Sequence, residues 1–250
     1  MLSEGSLLRA LERVGLQAPV RYDEVTGSTQ ATALAMASEG APEWTLVAAG
    51  HQTDGRGRLG RTWSDEPGRA LMFSIVLRPE LDTRAGGLLT LLAGTAMAQA
   101  CLDVAGQAAA CKWPNDVLVD GRKAAGILAE SRIADGRFEH VVLGVGANLR
   151  EPPVDITGAG AVQAEPAELL EAFVAAFAAG YRPADARFAQ TVVSSHTGVS
   201  ATIGTRVRAT TAEGPVIEGE AVALDGRGGL VVRTASGERV VRFGEVQHLE

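Results

Sequence analysis

Two apolar runs, Trp44–Ala49 and Ala70–Leu77, each read as a buried strand, and the segment between them cannot be regular structure. Residues 51–69 carry Gly55, Gly57, Gly60, Pro67 and Gly68, interleaved with Arg56, Arg58 and Arg61. Glycine and proline at that density break a helix and a strand ladder alike. The pattern G-x-G-x-x-G after a strand is also that of a dinucleotide-binding turn. Such a turn needs a helix opening at its last glycine, and Trp63-Ser64-Asp65-Glu66-Pro67-Gly68 cannot sustain one. Two readings stay open for the loop: a solvated basic excursion, or a cradle that folds over a polyanion through backbone amides and forked guanidinium donors.

Around this loop the pattern is mixed. Residues 3–14 predict a short helix, Val20–Val25 a strand, and Thr29–Ser38 a helix with Ser28 as its N-cap. Thr83–Val104 is apolar nearly all round, which predicts a buried helix. Short strands at Ala109–Lys112 and Val117–Val119 lead to Asp120-Gly121, a two-residue hairpin turn into Lys123–Glu130, and Phe138–Val145 follows. Residues 150–164 read as a long connection, and helices are predicted over Pro166–Ala179 and Pro183–Ser194. There is no regular strand–helix–strand alternation, so the expected class is α+β with a mixed sheet. From Ser200 the chain turns to short β-branched runs (Arg206–Ala209, Glu218–Leu224, Leu230–Arg233, Arg239–Arg242) between glycine turns, which predicts a small SH3-like β-barrel. The expected domains are therefore 1–198 and 199–250.

Apolar residues at 46% and charged residues at 21% exclude whole-chain disorder. With 23 Lys and Arg against 30 Asp and Glu, the net charge of −7 argues against general nucleic-acid binding. Cys101 and Cys111 make neither a disulfide framework nor a CxxC site, and the four histidines have no zinc-type spacing. No signal-peptide pattern starts the chain, and Leu88–Leu102 is short of the ~20 uninterrupted apolar residues of a spanning helix. A cytoplasmic protein with no membrane partner is expected.

Four further segments can carry chemistry, each with a plainer reading beside it. Lys112-Trp113-Pro114-Asn115-Asp116 places an amide and a carboxylate at a strand edge, suited to Mg²⁺ beside phosphates, or it is a turn with a packed tryptophan. In Lys123-Ala124-Ala125-Gly126-Ile127, period-two alternation puts Lys123, Ala125 and Ile127 on one face. Lys123 then points into a cleft, or it is a solvated edge lysine. Gly27-Ser28-Thr29-Gln30 offers hydroxyls and free amides at a helix start, or simple capping. Leu143-Gly144-Val145-Gly146-Ala147-Asn148 ends a strand on two glycines and an amide, or packs tightly against a neighbour.

Each signal is weak alone; their order is not. Ser-Thr at a helix start, His51-Gln52-Thr53 before GRGRxGRxW, then KWPND, KxxGIL and GVGxN together resemble the biotin protein ligase family from about Gly27 to Asn148. The resemblance implies ATP- and Mg²⁺-dependent activation of biotin as biotinyl-5′-AMP, then transfer to a lysine of the biotin carboxyl carrier protein of acetyl-CoA carboxylase or a related carboxylase. It implies that Ser28, Thr29, Gln52, Gly55, Arg56, Lys123 and Gly126 hold biotin. Arg58, Arg61, Trp63, Lys112, Asn115, Asp116, Lys123 and Asn148 would contact the adenylate. Lys123 and Arg58 would be catalytic, with Asp116 and Asn115 near the metal. Chemistry at phosphorus needs positioning and charge stabilisation more than a covalent nucleophile, and these residue types supply that.

Gln30 stands where the family usually has Asn, so it is left out of the expected site. With the Ser-Thr pair at residue 28, the sequence matches the short form, without room for the N-terminal winged helix of the family's repressors. A lipoate- or octanoyl-transferring relative would carry an Arg-Arg and Gly-Gly-Gly pattern that is missing here. A non-catalytic sensor would not need Lys123, Arg58 and Asp116 together. A homodimer is left open.

Overall fold

Ser3 opens the first helix, α1 (Glu4–Glu12), with a reciprocal cap: its hydroxyl accepts from the Ser6 amide, and its own amide donates to Ser6 Oγ. The helix buries Leu7, Ala10 and Leu11. The computed structural model describes residues 1–151, 156–211, 214–242 and 244–249. Strand β1 (Val20–Thr26), helix α2 (Thr29–Ser38) and strand β2 (Leu46–Gln52) make one parallel crossover. The other strand ladders of this sheet among the described residues are antiparallel, through β3 (Ala70–Leu77), β4 (Ala109–Lys112), β5 (Asp116–Val119), β6 (Arg122–Ala134) and β7 (Arg137–Asn148). The seven strands lie in the order β1-β2-β3-β7-β6-β5-β4. That is the mixed sheet expected.

Strand alternation divides the sheet between two environments. Leu71, Phe73, Ile75, Leu143 and Val145 face the main core under α1, α3 (Gly87–Ala105), α4 (Pro166–Gly180) and α5 (Phe188–Gly198). Phe73, Phe173 and Phe177 are fully buried there; truncating one to alanine would cost about 3–5 kcal/mol. Segment Thr83–Ala105 is long and apolar enough to cross a bilayer by composition, but most of it is buried against α4, α5 and the sheet. The opposite sheet face is covered only in part. Ala33 and Ala37 of α2 pack on Val47, Val76 and Val142. Beyond the N-terminus of α2 the same face carries Ser74, Gly144 and Gly146 and is left open to a cavity.

Asp120 and Gly121 both have positive φ (50° and 72°), as a tight hairpin of this kind requires. Helix α5 starts at Phe188, not at Pro183, because Arg182–Asp185 first makes a turn. Residues 199–201 run beside β4: Cys111 N–H donates to Val199 O and Ala201 N–H to Cys111 O. The C-terminal part is a five-stranded antiparallel sheet, ordered β11-β10-β9-β8-β12. Its strands are β8 (Arg206–Thr210), β9 (Ile217–Leu224), β10 (Leu230–Thr234), β11 (Gly237–Val241) and β12 (Glu245–His248). The last strand was not among those expected. Among the described residues β11 and β12 do not pair, so the SH3-like sheet is not closed by a hydrogen-bonded ladder.

Candidate active site

A cavity of about 340 Å³ opens on the free face of the large sheet. Its floor is small by register. Asp116, Gly126, Gly146 and Met72 are successive cross-strand partners on β5, β6, β7 and β3. Trp63 from the glycine–arginine loop lies over the two glycines: a Cβ on Gly146 would stand 2.6 Å from its ring, and one on Gly126 3.2 Å. Glycine lets the ring seat this closely: a methyl on Gly146 would displace it, and one on Gly126 would press on it.

The polar end of the cavity is built at the start of α2. Ser28 occupies the N-cap position, but its hydroxyl caps nothing; it is buried in the cavity wall without a partner. The Thr29 amide and hydroxyl instead donate to Gln52 Oε1, at 2.8 and 3.1 Å. Gln30, omitted from the expected site, also lines the cavity. Its Nε2 donates to Val142 O, and its Oε1 accepts from Ser74 Oγ. It lies flat on the sheet because Gly144 has no Cβ, which would come within 2.4 Å of Gln30 Oε1. Arg56, Lys112 and the other loop arginines line the same space.

The loop is folded across the cavity mouth. Trp63 N–H donates to Gly55 O and Gly57 N–H to Arg61 O, and between them a tight turn, Arg58–Arg61, puts Leu59 and Gly60 at positive φ (55° and 74°). Gly55 is buried at the crossing and does not line the cavity; a Cβ there would lie 2.3 Å from Trp63 O. Asp65 pins the far end to β2 through His51 Nδ1, 2.8 Å away. Among the described residues two of the three arginines have side-chain partners. Arg58 donates to Asn115 Oδ1 and to Gly244 O, both at 3.1 Å, and Arg61 pairs with Glu245 at 2.6 Å. Burial lowers the Arg58 pKa, and Glu245 and Asp116 oppose that shift. The charges that would drive the loop apart are thus offset by the C-terminal strand.

Lys123 is not on the face its spacing predicted. Val117 pairs with Ala125 and Leu118 with Lys123, so Ala124 is an extra residue, a β-bulge. The bulge separates Lys123 from the face of Ile127, which is buried against α3 near Gly94. Lys123 shares the face of Gly126 and reaches Asp116 Oδ1 at 2.6 Å. Its Nζ stands 6.0 Å from the Trp63 ring centroid, at the limit of a cation–π contact. Asn115 uses Oδ1 on Arg58 and Nδ2 on Ile127 O, which leaves Asp116 as the carboxylate of that turn. Asn148 does not line the cavity. Its Nδ2 turns to Gly160 O and ties down the connection after β7. Residues 152–155 of that connection lie outside the described residues. Glu245, Val246 and Gln247 line the cavity from β12. Nothing in their spacing marks them, because their place follows from docking of the second sheet.

Residues 22–148 match the Biotin/lipoate A/B protein ligase family, and residues 202–249 the Biotin protein ligase C terminal domain. The chain belongs to the biotin protein ligase family. This ligase is 31% identical over 259 residues to the Bifunctional ligase/repressor BirA of Bacillus subtilis, covering 97% of the chain and 79% of that protein. It is 35% identical over 241 residues to the Biotin–[acetyl-CoA-carboxylase] ligase of Mycobacterium tuberculosis, covering 90% and 86%. Its fold is similar to that of the biotin protein ligase from Aquifex aeolicus solved with biotin and ATP. The TM-score is 0.74 at 24% identity, over 93% of this chain and 99% of the other. The cavity of this ligase has a cationic loop across its mouth, glycines in its floor, and Asp116 paired with Lys123.

Proposed function

We propose that this ligase condenses biotin with ATP and passes the biotinyl group to a lysine of the biotin carboxyl carrier protein of acetyl-CoA carboxylase or a related carboxylase. The observation that carries the reading is the convergence of Arg58 and Lys123 on a cavity whose floor is glycine and whose far wall holds the unpartnered Ser28 hydroxyl. The buried Ser28 hydroxyl suits the polar ureido ring of biotin, and a cavity of about 340 Å³ suits a molecule of that size. The cations are placed for negative charge developing at the carboxylate and the α-phosphate.

In the first step a biotin carboxylate oxygen bonds to the α-phosphorus and pyrophosphate leaves. In the second the carrier lysine amine attacks the acyl carbon, an amide forms, AMP departs, and the amine proton is lost to solvent. Lys123 would neutralise the carboxylate and the non-bridging oxygens, and Arg58 would hold the loop over the anhydride and exclude water. Mg²⁺ is usually bound by one or two carboxylates together with substrate phosphates, and Asp116 fits that donor set. Among the described residues no group of three or more His, Cys, Asp or Glu makes a site by protein alone. The ion would supply charge neutralisation on the phosphates. We place the reaction in the cytoplasm, where the buried free thiols Cys101 and Cys111 stay reduced, and expect no nucleic-acid partner at a net charge of −7.

The test is mass spectrometry of a carrier domain incubated with the protein, ATP, Mg²⁺ and biotin. A single biotin adduct on one lysine is expected. Pyrophosphate release without an adduct would overturn the transfer step, and activity with lipoate but not biotin would overturn the substrate.

A further inference from the structure

The turn that carries Asn115 and Asp116 is held from the other domain. Trp113, buried at its start, directs both of its N–H groups to the C-terminal part of the chain. The backbone amide donates to Thr202 Oγ1 at 3.0 Å, and indole Nε1–H donates to Gly228 O at 3.0 Å. Thr202 is fully buried. An amide can only donate, so the Thr202 oxygen accepts and its own proton is free for His248 Nε2, 3.1 Å away. With the Thr202 hydroxyl donating along that line, Nε2 accepts, and the imidazole is neutral with its proton on Nδ1. Burial, and after it the charge of Lys112, lower the His248 pKa and so favour that form. His248 ends β12, whose preceding residues line the cavity.

We propose that Thr202, oriented by His248, is a positioning residue that fixes Trp113 and, through it, the phosphate-facing turn Asn115–Asp116. The inference rests on the adenylating reading of the site. Ser28, Thr29 and Gln52 share none of these bonds, so the effect falls on one substrate. Without the Thr202 hydroxyl the Trp113 amide is a buried, unpaired donor, and the turn has to shift to satisfy it.

The experiment uses the full chain and the variants Thr202→Val, Thr202→Ser and His248→Leu. Pyrophosphate release gives kcat/KM for ATP, calorimetry gives the biotin Kd, and a thermal melt checks the fold. Thr202→Val is expected to lower kcat/KM for ATP about tenfold, with the biotin Kd within about twofold. Thr202→Ser is expected to restore most of the loss, and His248→Leu to fall between. Equal losses toward ATP and biotin, or a lowered Tm with kcat/KM unchanged, would overturn the inference. Should Thr202→Val not fold, His248→Leu carries the test alone, and wild-type behaviour toward ATP overturns it. A wild-type chain that releases no pyrophosphate overturns the adenylating reading and this inference with it. An active wild type beside an unaffected Thr202→Val overturns the inference only.

Discussion

Lys123 Nζ stands 2.6 Å from Asp116 Oδ1 across adjacent strands, on the sheet face where Gly126 leaves room above the floor. The lysine side chain is 43% exposed, so the ion pair contributes little to stability, ~1 kcal/mol at most. Its value lies in the charge it presents to the cavity. Lys123→Ala should melt near wild type while adenylate formation falls about 10²–10³-fold, the usual cost of one preorganised donor to a developing charge. Pyrophosphate release at the wild-type rate would remove Lys123 from the mechanism.

Gly146→Ala tests the floor. The new methyl would stand 2.6 Å from the Trp63 ring, so the ring must leave its place. Trp63 belongs to a half-exposed loop and can swing away, which predicts little change in Tm. Biotin affinity should fall at least about tenfold, because the displaced ring takes up cavity space beside the sheet. Titration calorimetry measures this, and an unchanged Kd would mean that the seat of Trp63 on Gly146 does not shape the biotin site.

Arg58 ties the loop to both domains through Asn115 and Gly244. Arg58→Gly removes both tethers and adds backbone freedom to a loop already rich in glycine. The expected outcome is early escape of the activated adenylate, read as biotin on the lysines of an inert bystander protein incubated with ATP and biotin. A variant that still makes adenylate but labels the bystander no more than wild type would show that Arg58 is not the latch.

His196 predicts an acid-sensitive fold. Nδ1 lies 3.1 Å from Leu91 O, Nε2 is buried without a partner, and burial lowers the pKa from 6.5 to about 4. The unfolded chain therefore binds this proton more readily than the folded one. The histidine leaves stability intact above pH 6.5 and removes it progressively as pH falls toward 4, by about 3 kcal/mol in all. Denaturant melts between pH 7 and pH 4 check this. The pH slope should flatten in His196→Phe, and parallel slopes would contradict the assignment.

Local chemistry alone determined a good deal of this protein. Strand Ala70–Leu77, the Asp120-Gly121 hairpin and the irregular loop 53–69 follow from apolar runs and from glycine and proline, whose effects need no distant partner, although β2 runs on through His51 and Gln52. The order of the Ser-Thr, Gly-Arg, KWPND and KxxGIL motifs was likewise enough to place the family. Tertiary structure decided what those residues face. A bulge at Ala124 turned Lys123 away from Ile127 and toward Asp116, and a bulge is a mismatch between two strands that one strand's periodicity does not contain. Asn148 turned from the cavity to Gly160, and Gln30 entered it, because their partners lie on other elements. The β12 wall, with Glu245 beside Arg61 and His248 behind Thr202, exists only once the second sheet has docked on Trp113. Contacts between segments far apart in the chain carry no local pattern, so those residues stay silent until the fold brings them together.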